Sequence, residues 1–144
     1  MAHLDPLGTL MILVTGGFGW GKPAPYDPYN LANPARDSKL IALAGPASNI
    51  IISIILSLIL RFTNLDFLRI IIVYLISLNL NLALFNLLPI PPLDGSKIIN
   101  HNLDFINQNA NYLLIFLILP IFNGSSIVSK IISPISHFLL TFLL

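Results

Sequence analysis

The sequence predicts an all-α protein: a polytopic membrane helix bundle of about four to five membrane segments, forming a single domain over residues 1–144. Hydrophobic residues make up 56% of the chain and charged residues only 9%. A soluble domain carries about 25% charged residues, so most of this surface is expected to face membrane lipid. The net charge of +1 provides no basic stripe for nucleic acid, and the lack of cysteine excludes thiolate zinc sites and disulfides.

Two long apolar runs predict membrane-spanning helices. Residues 40–60 contain no charged residue and are closed by Arg61. At about 1.5 Å per residue this run spans roughly 30 Å, the thickness of a bilayer core. The second uncharged run covers residues 70–93. Its helix should stop near Leu88, because the prolines that follow cannot continue it.

The remaining segments are shorter. Residues 7–14 predict a short or broken membrane helix. The proline-rich stretch 20–39 predicts an interfacial loop, with Asp37 or Ser38 capping the next helix. Two short apolar stretches near the C-terminus fit either a helical hairpin or one interrupted span, and they lie at residues 112–122 and 127–144.

The end of the second run carries the polar residues of most interest. Asn79, Ala83 and Asn86 lie at spacings of four and three, so they share one helical face. Small and amide residues commonly pack membrane helices together, and this is the role that we assign to Asn79. Asn86 differs from Asn79 because the proline-rich segment follows it directly.

Pro89, Pro91 and Pro92 lack N–H donors. The carbonyls expected to lose their helical partners are those of Phe85, Leu87 and Leu88. Free carbonyls at membrane depth are tolerated only where protein or a water-filled cavity satisfies them.

Asp94 follows a run of twenty-four uncharged residues. An ionisable residue in this position favours a functional role. It is equally compatible with a cap for a short helix that begins at Gly95. The residue pattern alone leaves both interpretations open.

Residues 86–95 read Asn-Leu-Leu-Pro-Ile-Pro-Pro-Leu-Asp-Gly, which resembles the signature of the site-2 protease family of intramembrane zinc metalloproteases. The segment His-Leu-Asp-Pro-Leu-Gly-Thr at 3–9 resembles the entry into a core helix of that family. Phe-Gly-Trp-Gly-Lys-Pro at 18–23, with the later Asn33-Pro34, resembles a loop of its compact bacterial branch. Ala-Gly-Pro-Ala-Ser-Asn at 44–49 resembles its Gly-Pro-x-x-Asn element. Beyond about residue 100 only hydrophobicity is shared.

The resemblance implies an enzyme of the bacterial inner membrane that cleaves transmembrane segments of other proteins. In this family zinc is held by two His of a His-Glu-x-x-His helix and by the Asp of Leu-Asp-Gly, which is Asp94 here. Asn86 would orient the substrate or stabilise the oxyanion, and the Asp94 end would face the cytoplasm. The remaining motif residues would have structural roles, and they are Gly45, Pro46, Asn49, Pro89, Pro91, Pro92 and Gly95.

The chain lacks the other half of that zinc site. It contains no Glu, and His3, His101 and His137 form no i, i+4 pair. Lone His residues are more often structural or interfacial, and His137 is expected to reach the membrane interface. Because the family's His-Glu-x-x-His helix precedes the His-Leu-Asp-Pro element, truncation is the simplest explanation. We therefore expect no peptide hydrolysis by this chain alone.

Three functions compete on this evidence. The first is a protease remnant that is active only when a second chain supplies the His-Glu-x-x-His helix. The second is a catalytically dead membrane scaffold or helix-binding regulator. The third is a transporter that uses the proline-broken helix, and it ranks last because the paired broken helices of an inverted repeat are missing. The distribution of Lys and Arg does not choose an orientation in the membrane.

Overall fold

The structure is a computed structural model, and it describes residues 31–98, 109–119 and 125–144 together with Leu10. These residues are mostly helical. Within the described ranges lie five helices: α1 (Pro34–Arg61), α2 (Asp66–Asn86), α3 (Asp94–Ile98), α4 (Ala110–Ile118) and α5 (Ile127–Leu143). Apart from Leu10, the helix predicted over residues 7–14 lies outside this part of the chain.

Helix α1 begins earlier than the sequence predicted. Asn33 is its N-cap, and the Asn33 side chain accepts a hydrogen bond from the Arg36 backbone N–H at 3.2 Å. The Asp37 carboxylate accepts one in return from the Asn33 N–H at 2.9 Å. Asp37 and Ser38 are therefore inside the helix, and the prediction that one of them caps it is wrong. The reason is Pro34, whose fixed backbone angle suits the first helical turn.

Helices α1 and α2 form an antiparallel pair joined by a short turn. The Arg69 guanidinium donates to the carbonyls of Thr63 at 3.0 Å and Leu60 at 3.4 Å, which closes the end of α1. One face of α1 carries small residues against α2. There the Ser53 hydroxyl donates to the carbonyl of Asn49 at 2.9 Å and lies 3.4 Å from that of Ile76.

Helix α5 packs along α2 in the opposite direction. Its first half joins a buried cluster with residues at the end of α2 and in α4, namely Phe85, Leu93, Leu114, Ile118, Val128 and Ile132. Its last turn packs on Leu60, Ile76 and Leu80. The C-terminal stretches that the sequence left undecided are thus two separate helices, α4 and α5, packed in one cluster.

Two helices are long and apolar enough to cross a membrane. Helices α1 and α2 have mean hydropathies of 2.1 and 2.0, and only 22% and 17% of their most apolar windows are buried. Large side chains such as Ile51, Phe67 and Tyr74 point outward. Lipid suits such a surface and water does not. The predicted helical fold is confirmed, with two candidate spans among the described residues.

Candidate metal site at the end of α2

The chain leaves α2 through a proline-rich turn over residues 87–93. The Leu88 N–H donates to the Phe85 carbonyl at 3.1 Å, and the Ile90 N–H donates to the Leu88 carbonyl at 2.8 Å. The carbonyls of Phe85 and Leu88 therefore lose their helical partners, as predicted, but gain new partners in the turn. The turn supplies them, because Leu88 and Ile90 retain the N–H groups that the prolines lack. The Pro91–Pro92 peptide bond is cis.

Gly95 brings α3 against the end of α2. A Cβ atom at this position would lie closer than 3.0 Å to the carbonyl oxygens of Leu87 and Leu88. Real Cβ atoms essentially never approach backbone so closely, so only glycine fits without a backbone shift. The Ser96 hydroxyl adds a hydrogen bond to the Leu93 carbonyl at 2.7 Å. The Leu-Asp-Gly motif is therefore anchored on the backbone that ends α2.

The Asp94 side chain reaches from this anchored turn to α1. Its Oδ2 atom lies 3.5 Å from the point that a Cβ atom on Gly45 would occupy. Its Oδ1 atom accepts a hydrogen bond from the Lys97 ammonium at 3.0 Å, and the side chain remains about one-third exposed, at 32%. Two motifs that are distant in the chain, one with Gly45 and the other with Asp94, meet at this carboxylate.

The structure also bears on the alternative in which Asp94 is a helix cap. Helix α3 begins at Asp94 itself, and among the described residues its carboxylate accepts a hydrogen bond from Lys97. A capping carboxylate would instead accept from a backbone N–H of the first turn. The carboxylate is thus directed at α1 and Lys97, while Asp94 also starts the short helix.

Three other predicted site residues lie within eight positions of either Gly45 or Asp94 in the sequence. Pro46 is fully buried beside Gly45, and the Ser48 hydroxyl donates to the Gly45 carbonyl at 2.7 Å. Asn49 and Asn86 are both half-buried, and Asn86 is the last residue of α2. Nothing in the structure tests the substrate-orienting role predicted for Asn86.

The described hydrogen bond of Asn79 lies within α2, and the packing role that we assigned to this residue stays a prediction. Its amide nitrogen donates to the carbonyl of Leu75, one turn earlier in the same helix, at 2.8 Å. Ala83, on the same face, is buried as expected for a close helix contact. The face predicted from spacing is therefore real, while the described bond of Asn79 stays within α2.

The described residues do not fit a zinc site by themselves. His3 and His101 lie outside them, and no group of three His, Cys, Asp or Glu residues occurs within them. His137 lines a cleft between α2 and α5 whose lining does not include Asp94. A catalytic zinc needs about three protein ligands, and Asp94 supplies one carboxylate.

That cleft is a feature that our reading of the sequence missed. It is lined by six polar residues: Ser77, Asn81, Ser129, Ser133, Ser136 and His137. Two signals were present in the sequence. Ser77 and Asn81 are four residues apart, and Ser129, Ser133 and His137 follow the same spacing.

Comparison with known proteins gives the family. The sequence profile of Peptidase family M50 matches residues 63–121. The "Putative zinc metalloprotease YwhC" of Bacillus subtilis (strain 168) is 42% identical over 107 residues, which cover 67% of this chain and 48% of that protein. The "Putative zinc metalloprotease MJ0611" of Methanocaldococcus jannaschii is 37% identical over 97 residues, covering 67% of this chain and 50% of that protein. No solved structure matches the chain.

The described residues form a helical protein with two candidate membrane spans. Over the matched region the chain belongs to peptidase family M50, the site-2 protease family. The family is membrane-embedded, and its members are zinc metalloproteases. The chain spans about half the length of the curated relatives it matches.

Proposed function

We propose that this chain is part of an intramembrane zinc metalloendopeptidase that cleaves transmembrane segments of membrane proteins, with Asp94 as one of its metal ligands. The observation that carries this proposal is the meeting of Asp94 with Gly45, because it joins the Leu-Asp-Gly and Gly-Pro-x-x-Asn motifs at one point. In the proposed arrangement residues 1–144 form a single multi-pass domain of about four to five segments in the bacterial inner membrane.

Each part of the site has a role in this proposal. Gly95 fixes the turn, so that the Asp94 carboxylate is held at the end of α2. Gly45 has no side chain, and Oδ2 lies 3.5 Å from the point that a Cβ atom there would occupy. The half-buried Asn86 is our candidate for orienting the substrate or stabilising the oxyanion, since an amide N–H can donate to a carbonyl oxygen. When bound, zinc would polarise the scissile carbonyl as a Lewis acid.

We further propose that the chain by itself is inactive. It has no Glu to act as general base, and its His residues form no i, i+4 pair. The two missing ligands and the base would come from a polypeptide segment that carries His-Glu-x-x-His. That segment is the proposed partner, together with membrane lipid and the transmembrane segments of substrates.

Zinc content and cleavage test this proposal together. The chain would be purified alone and after co-expression with a His-Glu-x-x-His segment taken from a relative such as YwhC. We expect one zinc per complex and chelator-sensitive cleavage of a membrane substrate only after co-expression. Asp94→Ala should remove both the zinc and the activity. The matched control is Asp66→Ala, at the opposite end of α2, which should leave both unchanged.

Two results would contradict the proposal. One is zinc-dependent cleavage by the purified chain alone, which would show that no further ligand or base is needed. The other is a complex whose zinc content is the same with Asp94→Ala as without it.

The absence of Glu from the whole sequence favours a second candidate, a catalytically dead scaffold or helix-binding regulator. The same experiment distinguishes the two functions. A co-expressed complex that forms stably, holds no zinc and cleaves nothing would support the scaffold over the protease.

A further inference from the structure

A polar cleft of about 240 Å³ lies between α2 and α5, apart from the Asp94 turn. We call it the Ser–His cleft; its polar lining consists of Ser77, Asn81, Ser129, Ser133, Ser136 and His137. Ser133 and His137 are exposed on the outer side of α5. The cleft therefore opens to the outside of the described bundle.

This polar lining is unusual because the two helices that form the cleft are otherwise mostly apolar. Helix α2 has a mean hydropathy of 2.0, and the exposed neighbours of Ser133 on α5 are Ile131 and Ile135. A bilayer core offers no water to satisfy hydroxyl, amide or imidazole groups. Such groups within membrane helices therefore usually face protein or a water-filled space.

Part of the hydrogen-bonding capacity of the cleft is unused, although the Ser129 hydroxyl is already bonded to the backbone of Ser126. Among the described residues, no hydrogen bond involves the side chains of Ser133, Ser136 or His137. The amide of Asn81 reaches only the Ser77 hydroxyl, at 3.5 Å, which is a weak contact. Several donors and acceptors thus face the same opening without a partner in this part of the chain.

The length of the cleft indicates what fills it. Its lining on α5 extends from Ser129 to Leu140, about three helical turns or roughly 16 Å. A groove of this length between two antiparallel helices accommodates the face of a third helix. Serine in such a groove allows close backbone approach, and amide and imidazole groups bond across helices. The matched relatives are about twice as long as the part they share with this chain, so they contain further polypeptide.

We propose that the Ser–His cleft is a docking groove for one further transmembrane helix, which carries a hydrogen-bonding side chain such as an amide near the middle of its span. The amide bonds to the free groups at Ser133 and His137, and the apolar flanks of the helix pack on α5. The docking does not require metal at Asp94, so it stands independently of the proposed protease function.

Defined peptides in phosphatidylcholine vesicles test this docking. One peptide is a Leu-rich transmembrane helix of about 20 residues with a single central Asn, and the matched peptide has Leu at that position. Binding to the full chain is followed by energy transfer from a dye on the peptide to a dye on a cysteine added after Leu144. That cysteine is unique, because the chain has none of its own.

The expected result is a preference for the Asn peptide of about threefold to twentyfold, the range that corresponds to one or two interhelical hydrogen bonds in a bilayer. The double variant Ser133→Ala/His137→Phe should remove the preference. The matched control Ile131→Ala/Ile135→Ala, on the lipid-facing side of the same helix, should keep it.

Three results would overturn the proposal. The first is equal binding of both peptides by the unaltered chain. The second is loss of the preference in the control as large as in the double variant. The third is self-association of the chain that the double variant abolishes while neither peptide binds, since the groove would then serve a second copy. Because both substituted groove residues are exposed, circular dichroism should show an unchanged helix content in every variant.

Discussion

The C-terminal end of α2 and the middle of the same helix border very different surroundings. At its C-terminal end the chain turns back so tightly that Gly95 touches the backbone of Leu87 and Leu88. Around Ser77 and Asn81 the same helix instead borders an open polar cleft. The C-terminal end is closed by backbone packing that leaves no room for an extra atom. The middle of the helix borders hydrogen-bonding groups that outnumber their partners. The closed end fixes a carboxylate, and the open part is suited to receive another helix.

Polar residues in this apolar chain differ in whether other residues hold them in place. Asp94 is held in place by a glycine contact and by Lys97, so its position is determined within the described residues. Ser133 and His137 have no such partners there. A polar group that is already positioned favours a site, whereas an unpartnered polar face favours an interface.

The largest expected effect compares the two glycines that surround Asp94. Gly95→Ala places a methyl group against carbonyl oxygens that cannot move without shifting the end of α2. We expect a loss of about 1–3 kcal/mol in the free energy of unfolding, as for overpacking in a core. Unfolding of the purified chain in mixed detergent micelles, followed by circular dichroism as SDS is added, measures this loss.

Gly45→Ala is the matched control, and we expect the opposite sign. Its new methyl group would lie 3.5 Å from the Asp94 carboxylate, an ordinary contact. Alanine is also favoured over glycine in a helix interior by roughly 0.5–1 kcal/mol. If Gly45→Ala destabilised the chain as much as Gly95→Ala, the closed end would not be set by the close approach at Gly95.

A smaller effect is expected from comparing a hydroxyl that is bonded between two helices with one that lies in the open cleft. The Ser57 hydroxyl donates to the Leu143 carbonyl and so joins α1 to α5. Ser57→Ala should cost about 0.6 kcal/mol, the average for an interhelical hydrogen bond in a membrane protein. Ser133→Ala should cost nothing in the same titration, because no described group bonds to Ser133. A cost at Ser133 equal to that at Ser57 would mean that the cleft is already occupied within this chain.

The smallest effect concerns the ion pair at the candidate metal site. Lys97 and Asp94 are 37% and 32% exposed and are three residues apart on α3. Such a pair contributes about 0.2–0.5 kcal/mol, so Lys97→Gln should barely alter the unfolding midpoint. A loss above about 1 kcal/mol would show that the pair, and not Gly95, holds the turn in place.

Much of the fold followed from the sequence. The uncharged runs located α1 and α2, since an uncharged run of about 20 apolar residues is typical of a membrane helix. The prolines ended α2 within two residues of the predicted position, because proline cannot continue a helix. Helix α1 begins at Pro34, six residues before the predicted apolar run at residue 40. Asn33 and Pro34 together make a better helix start than Asp37 or Ser38.

The candidate site could be predicted only in part. The resemblance indicated Asp94 and Gly45 as members of two motifs, but no spacing along the chain shows that they meet. The sequence indicated that the carbonyls of Phe85 and Leu88 lose their helical partners, but the turn that reuses the N–H groups of Leu88 and Ile90 cannot be inferred from the positions of the prolines.

The sequence by itself determined the helical class, the apolar spans, the membership of a zinc metalloprotease family and the lack of a Glu. These properties depend on composition and local pattern, which a chain carries whatever its fold. The tertiary structure alone decided that Asp94 faces Gly45, that Gly95 rests on the end of α2, and that Ser133 and His137 share a cleft with Asn81. Each of these requires distant segments to pack side by side, and that packing depends on shape complementarity across helices.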